Sequence, residues 1–178
     1  MHYRDEALAA DDPVAALNEA LATRFDVEHV PVRIGDRDIT IARPRSYDDL
    51  IDEKAFVEDD RLPYWVTLWP AARALGEHAS RLRGNGRTAL ELGCGCGLVA
   101  TMLAGVGFRV TASDYYDDAL SFAWLNIARN TGVRAELMLL DWRALPATLP
   151  SFELVVASDV LYERQYGALV AKIGRAHV

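Results

Sequence analysis

Residues 89–114 constrain the fold of this chain more than any other stretch. Leu90-Glu91-Leu92 is an apolar strand end, and Gly93-Cys94-Gly95-Cys96-Gly97 is a turn of alternating glycines. Leu98 to Val106 is an apolar run of helix length, and Phe108 to Ala112 is a second strand closed by Asp114. A strand, a glycine turn, a helix and an acid-terminated strand at this spacing make a first βαβ unit. In parallel sheets such a turn is where a nucleotide-bearing ligand docks.

The glycine pattern discriminates between ligands that share this topology. A dinucleotide fingerprint GxGxxG begun at Gly93 needs glycine at position 98, where Leu98 stands. The pattern is instead Glu91-x-Gly93-x-Gly95-x-Gly97, with a carboxylate at the strand end. Glycines let the backbone pass close beneath a ligand, and a carboxylate there attracts a cation and repels a pyrophosphate. S-adenosylmethionine carries an amino group and a sulfonium and no phosphate, so it satisfies both conditions. Asp114 is then the acceptor for the two ribose hydroxyls, since a carboxylate accepts two hydrogen bonds at once.

The remainder of the chain alternates helix and strand. Asp12-Pro13 starts a helix through about Leu21, and Val30–Ile34 with Asp38–Ala42 around Gly35-Asp36 reads as a hairpin. Ser46 can cap a short helix through Glu53, and Glu58-Asp59-Asp60-Arg61 reads as a solvated loop. Pro70 to about Leu82 has helical spacing, ended by the Gly84-Asn85-Gly86 turn. Tyr116 to about Asn130 forms a helix with a core stripe of Leu120, Trp124 and Ile127. Ala135–Leu140 is a third strand, and the continuous apolar run Phe152–Ala157 a fourth, covered on both faces. The expected fold class is α/β: a Rossmann-like, doubly wound, mostly parallel sheet preceded by a helix and a β-hairpin. Gly93, Asp114, Asp141 and Asp159 then all fall at carboxyl ends of strands, where ligands bind.

Three further motifs accompany that unit: Leu62-Pro63-Tyr64-Trp65-Val66-Thr67-Leu68-Trp69-Pro70-Ala71-Ala72, Asp141-Trp142, and Ser158-Asp159-Val160-Leu161-Tyr162. With the glycine turn, they make residues 62–162 resemble the class I, seven-strand S-adenosylmethionine-dependent methyltransferases, in the protein-lysine methyltransferase-like branch called methyltransferase family 16. The resemblance implies a site in which Trp69, Glu91, Gly93, Cys94, Gly95, Gly97, Asp114, Asp141, Trp142 and Ser158 contact the cofactor. Trp142 presents an indole face to adenine, Asp141 accepts from its amino group, and Trp69 covers the sulfonium side. By their spacing from Trp69, Tyr64 and Trp65 form either a lid or substrate wall or an aromatic packing cluster. Asp159 and Tyr162 form the catalytic pocket, Asp159 positioning an acceptor amine; its other reading is the N-cap of the helix that follows. The implied reaction is an in-line methyl displacement governed by alignment and exclusion of water.

Composition excludes several classes. At 178 residues, 51% hydrophobic and 25% charged, the chain has the makings of one domain. No apolar run reaches the roughly 18 residues of a membrane span, and the acidic start, Met1 to Asp12, lacks the order of a secretory signal. A cytoplasmic protein without a membrane partner is expected. A net charge of −7 argues against a nucleic-acid partner. Cys94 and Cys96 are too close for an ordinary disulfide and short of further ligands for zinc, so no metal is expected. The domain organisation expected is a lead-in over 1–61, a core over 62–172, and a non-native tail over 173–178, whose Ile-Gly-Arg-Ala-His-Val resembles a translated sequencing adapter. The core is then truncated, with four of seven strands and a last helix ending before Ile173. The acceptor is a protein lysine or, alternatively, a small molecule; an inactive cofactor-binding fragment and an NAD-dependent oxidoreductase are the other readings, the last disfavoured by Glu91 and Leu98.

Overall fold

The computed structural model describes residues 3–46, 50, 63–162 and 166–175. Apart from Ser46 and Leu50, the helix expected over 46–53 lies outside them, as does the charged stretch 58–61. The chain opens with α1 (Tyr3–Leu8) and α2 (Pro13–Arg24). Pro13 occupies the first turn of α2, where its missing N–H costs nothing, and Asp12 accepts the Ala15 N–H at 3.1 Å. The short α1 was not expected. Its anchors are distant in sequence: the Tyr3 hydroxyl donates to Asp118 at 2.8 Å, and Arg4 pairs with Asp117 at 2.8 Å.

Strands β1 (Val27–Ile34) and β2 (Arg37–Pro44) form the expected antiparallel hairpin, with β1 starting earlier and β2 longer at both ends than the alternation alone suggests. After a single 3₁₀ turn at Tyr64–Val66 comes α3 (Pro70–Ala79), which starts at Pro70 as expected and ends sooner. The core then runs β3 (Thr88–Leu92), α4 (Leu98–Gly105), β4 (Arg109–Asp114), α5 (Asp117–Thr131), β5 (Glu136–Leu139), β6 (Leu154–Ala157) and α6 (Tyr166–Arg175). Gly132, at φ +71°, closes α5 in the left-handed conformation that a helix C-terminus favours.

The four strands form one parallel sheet in the order β5-β4-β3-β6. The chain steps outward from β3 through β4 to β5, then returns to pair β6 with the free side of β3. That reversal opens a crevice beyond the carboxyl ends of β3 and β6, the switch point where doubly wound sheets bind ligands. The hairpin, α2, α4 and α5 share one apolar core with the sheet, in which Ile34, Ile41, Leu103, Phe122 and Leu125 are fully buried. The α5 stripe of Leu120, Trp124 and Ile127 is buried as expected. On the opposite face Leu90, Leu92, Leu140 and Ile173 form a smaller cluster.

Two expectations are corrected here. β6 is half-buried along its length, not covered on both faces, because it is an edge of the sheet among the described residues. And α6 continues through Ile173, which is fully buried against the sheet, where the helix was expected to stop before it.

Candidate functional site

The turn after β3 depends on its glycines for two separate reasons. Gly93, Gly95 and Gly97 have φ of +66°, +51° and +77°, a region that costs other L-residues roughly 1–2 kcal/mol. At Gly95 a Cβ would stand 2.9 Å from the Trp65 carbonyl oxygen, so the turn at 64–66 lies directly on the loop. At Gly97 a Cβ would stand 2.7 Å from the Cα of Ala123. Gly97 therefore lets α4 pack against α5. It does not line the cavity, unlike the other residues expected to contact a cofactor.

That cavity, about 550 Å³ in volume, opens at the switch point. It is lined by the loop, the strand ends and the 64–69 segment, and it brings together Trp69, Glu91, Gly93, Cys94, Gly95, Asp114, Asp141, Trp142, Ser158, Asp159 and Tyr162. Two buried carboxylates stand at its floor. Asp114 accepts the Gly95 N–H at 2.9 Å on one oxygen and the Tyr116 N–H at 3.0 Å on the other. Glu91 accepts the Ala100 N–H at 2.7 Å, from the first turn of α4. Burial pushes the Glu91 carboxyl up to about 8, against the opposing pull of that amide, and Asp114 adds to the rise. Burial likewise raises Asp114, while the amides of Tyr116 and Gly95 oppose it. Two acids held in low dielectric, with no cation beside them among the described residues, suit a ligand that brings a positive charge.

The thiols are inert by comparison. Cys94 and Cys96 are buried and free, and burial pushes both well above the usual thiol range, which keeps them protonated. The Cys96 thiol donates to the Trp65 carbonyl at 3.4 Å.

The rim is aromatic. Trp142 lies over the loop: its ring atoms come within 3.7 Å of where a Gly93 Cβ would be. Tyr166 meets Trp142 edge-on at 5.5 Å, Tyr162 meets Tyr166 at 5.2 Å, Tyr64 meets Tyr162 at 5.7 Å, and Trp69 meets Tyr64 at 6.0 Å. Edge-to-face pairs at such distances are the favoured aromatic geometry. Tyr162 remains 61% exposed, so this arc faces whatever approaches from solvent. Trp69 donates its indole N–H to the Tyr64 carbonyl at 3.1 Å. The sequence reading missed Tyr115, Tyr116, Arg143 and Tyr166 as wall residues. The first two follow Asp114 directly, a strand-end position that could have been read; Tyr166 enters only through the fold of α6.

Two of the expected site acids also have protein partners. The Asp141 carboxylate is gripped by Arg143, with Nε at 2.9 Å and Nη2 at 2.6 Å, and it also accepts the Arg143 N–H at 2.9 Å. The Asp159 Oδ2 accepts the Ala72 N–H at 3.2 Å, in the first turn of α3, where the N-cap residue Trp69 contributes no side-chain bond. Asp159 holds this position at φ +54°, a left-handed conformation that Asp tolerates better than most residues.

Comparison with known proteins agrees with this architecture. A family profile described as lysine methyltransferase matches residues 60–176. Mouse protein-lysine methyltransferase METTL21E is 28% identical over 116 residues, which are 58% of this chain and 47% of that protein. Rat histone-arginine methyltransferase METTL23 is 27% identical over 107 residues, 56% of this chain and 48% of that one. The chain thus spans about half the length of the curated relatives it matches. Among solved structures, the N-methyltransferase NodS of Bradyrhizobium japonicum, in complex with S-adenosyl-L-homocysteine, superposes with a TM-score of 0.50 at 22% identity. That match covers 74% of this chain and 67% of NodS, and it shows the shared fold. Since the profile match takes in more than half of the chain and contains the glycine loop, both buried acids and the aromatic rim, the chain belongs to the lysine methyltransferase family.

Proposed function

We propose that the protein is an S-adenosylmethionine-dependent methyltransferase acting on the side-chain amine of a protein lysine. The observation that carries this reading is the pairing of two buried, cation-seeking carboxylates, Glu91 and Asp114, with a loop whose Gly95 and Gly97 lie too close to neighbouring backbone to carry a side chain. The residues fit the cofactor: Asp114 would hold the ribose hydroxyls, Glu91 would face the amino group, and Trp142 would cover the adenine. When bound, S-adenosylmethionine supplies an electrophilic methyl group on a sulfonium.

The chain's own residues have three tasks at the acceptor end. Tyr64, Trp69 and Tyr162 offer apolar walls to an alkyl chain and aromatic faces to its ammonium. A lysine with a pKa near 10.4 is neutral in only about one molecule in a few thousand at pH 7, so the site has to favour release of that proton. Asp159 attracts the ammonium and orients it; because that attraction also raises the amine's pKa, Asp159 acts as a positioning residue and not as an efficient base. Ser158, on the same loop, lines the cavity beside it. Among the described residues no helix is long and apolar enough to cross a membrane.

Calorimetric titration with S-adenosylhomocysteine, with NAD as control, tests the cofactor. We expect binding of the first ligand alone and a loss of at least about tenfold in affinity for Asp114→Ala, which is one hydrogen-bonded charge's worth. NAD binding, or an unaffected Asp114→Ala, refutes the assignment. Transfer of label from S-adenosylmethionine into lysate protein supports a protein acceptor. Label confined to the small-molecule fraction would instead establish the alternative, a small-molecule methyltransferase.

A further inference from the structure

The hairpin that precedes the core carries no residue of the cavity, yet it is bonded to both walls of the cofactor loop. Residues 40 and 42 of β2 face Pro31 and His29 of β1 at positions where the backbone groups of β2 point away from its partner strand. Two asparagines one helical turn apart on α5 take up those outward groups. Asn130 accepts the Thr40 N–H at 2.9 Å and donates to the Thr40 carbonyl at 2.9 Å. Asn126 does the same for Ala42, at 2.8 Å in each direction. The two side-chain amides thus imitate a neighbouring strand.

They differ in one respect. Asn126, fully buried, also donates to the carbonyl of Cys96 at 2.9 Å, inside the glycine loop. Asn130 spends its remaining donor on the Asn126 carbonyl of its own helix. The next residue of β2, Arg43, pairs with Glu28 across the hairpin and donates to the Val66 carbonyl at 3.0 Å. The Tyr64–Val66 turn is in turn seated on the loop through the Trp65 carbonyl, which Cys96 bonds and Gly95 nearly touches.

We propose that Asn126 and Arg43 are positioning residues of the cofactor site. They make the hairpin a common support that fixes the glycine loop and the aromatic turn seated on it. Asn126 holds the loop from beneath, Arg43 holds the turn from the side, and both are anchored on adjacent residues of one strand. The cavity that loop and turn both line keeps its shape because neither wall moves independently of β2. This rests on the reading that the cavity binds the cofactor.

The test uses the full chain and S-adenosylhomocysteine, with affinity and melting temperature measured together. Asn126→Asp and Asn130→Asp make the same chemical change, the first at a fully buried position and the second at a half-buried one: each keeps the acceptor for the β2 N–H and removes the amide donor. Arg43→Met cuts the bond to Val66 and leaves both asparagines intact. We expect Asn126→Asp and Arg43→Met to weaken binding about tenfold, and Asn130→Asp to stay within about twofold while still lowering the melting temperature. A purely structural role moves the melting temperature in every variant and sets no difference between the asparagines. Equal affinities for the two asparagine variants overturn the proposal. So does an Arg43→Met protein that binds like the parent, and this variant decides the matter where Asn126→Asp does not fold. Failure of the folded parent to bind would instead overturn the cofactor reading itself.

Discussion

Glu91 offers the sharpest physical test of the site. Its carboxyl lies on the buried strand end, 1% exposed, with a pKa of about 8 against an ordinary value of 4.5. A carboxyl that holds its proton more tightly in the folded state contributes stability that is fully present below pH 4.5. That contribution is lost as the pH rises and is gone above about 8. The shift amounts to about 3 kcal/mol lost by pH 7 and about 5 kcal/mol lost by pH 9. Glu91→Gln has the shape of the protonated acid and keeps an acceptor for the Ala100 N–H, so it should remove this dependence. Urea unfolding at pH 5 and pH 9 should find the two proteins within about 1 kcal/mol of one another at pH 5, and the Gln variant more stable by several kcal/mol at pH 9. Asp114, also raised, contributes a slope of the same sign to both proteins, so the difference between them reports Glu91 together with its coupling to Asp114. Parallel stability curves from pH 5 to 9 would refute the claim that burial governs this group.

The same linkage predicts that S-adenosylhomocysteine, whose amino group would hold Glu91 ionised, releases a proton on binding near pH 7. Titrations in two buffers of different ionisation heat would show it, and the effect should vanish in Glu91→Gln. Gly97→Ala should destabilise by about 2–5 kcal/mol, combining left-handed strain with overpacking on Ala123, while the fraction that stays folded keeps its ligand affinity. Selective loss of affinity with stability unchanged would show Gly97 to be a ligand contact after all. Asp159→Ala should cost about 1 kcal/mol through the uncapped first turn of α3, lowering the melting temperature by roughly 2–4 °C. Asp159→Asn, which keeps an acceptor and tolerates positive φ, should recover most of that loss. An Asn variant that melts like the Ala variant would exclude the capping role.

Much of the fold was legible because it depends on short-range rules. Pro13 and Pro70 mark helix starts through their own missing N–H groups, Gly35 and Gly132 mark reversals through positive φ, and the glycine turn announces a strand on one side and a helix on the other. Most of the site followed, since strand ends in a parallel sheet converge on one edge. What the sequence did not show has a common cause. The amide that Asp159 bonds lies 87 residues earlier in the chain. α1 lacks any local signal because Asp117 and Asp118 hold it from more than a hundred positions away. Gly97 belongs to the same motif as Gly93 and Gly95, and only the approach of Ala123 assigns it to packing.

The sequence by itself pointed to the class of ligand we propose, because the glycines and the two acids act through backbone conformation and charge sign, both local properties. Tertiary structure alone decided how the site is held: which carboxylate is buried, which is gripped by arginine or caps a helix, and that two amides of α5 bind the hairpin edge. Those outcomes depend on which unpaired backbone groups the fold brings within about 3 Å of a side chain, and spacing along a chain carries no record of that distance.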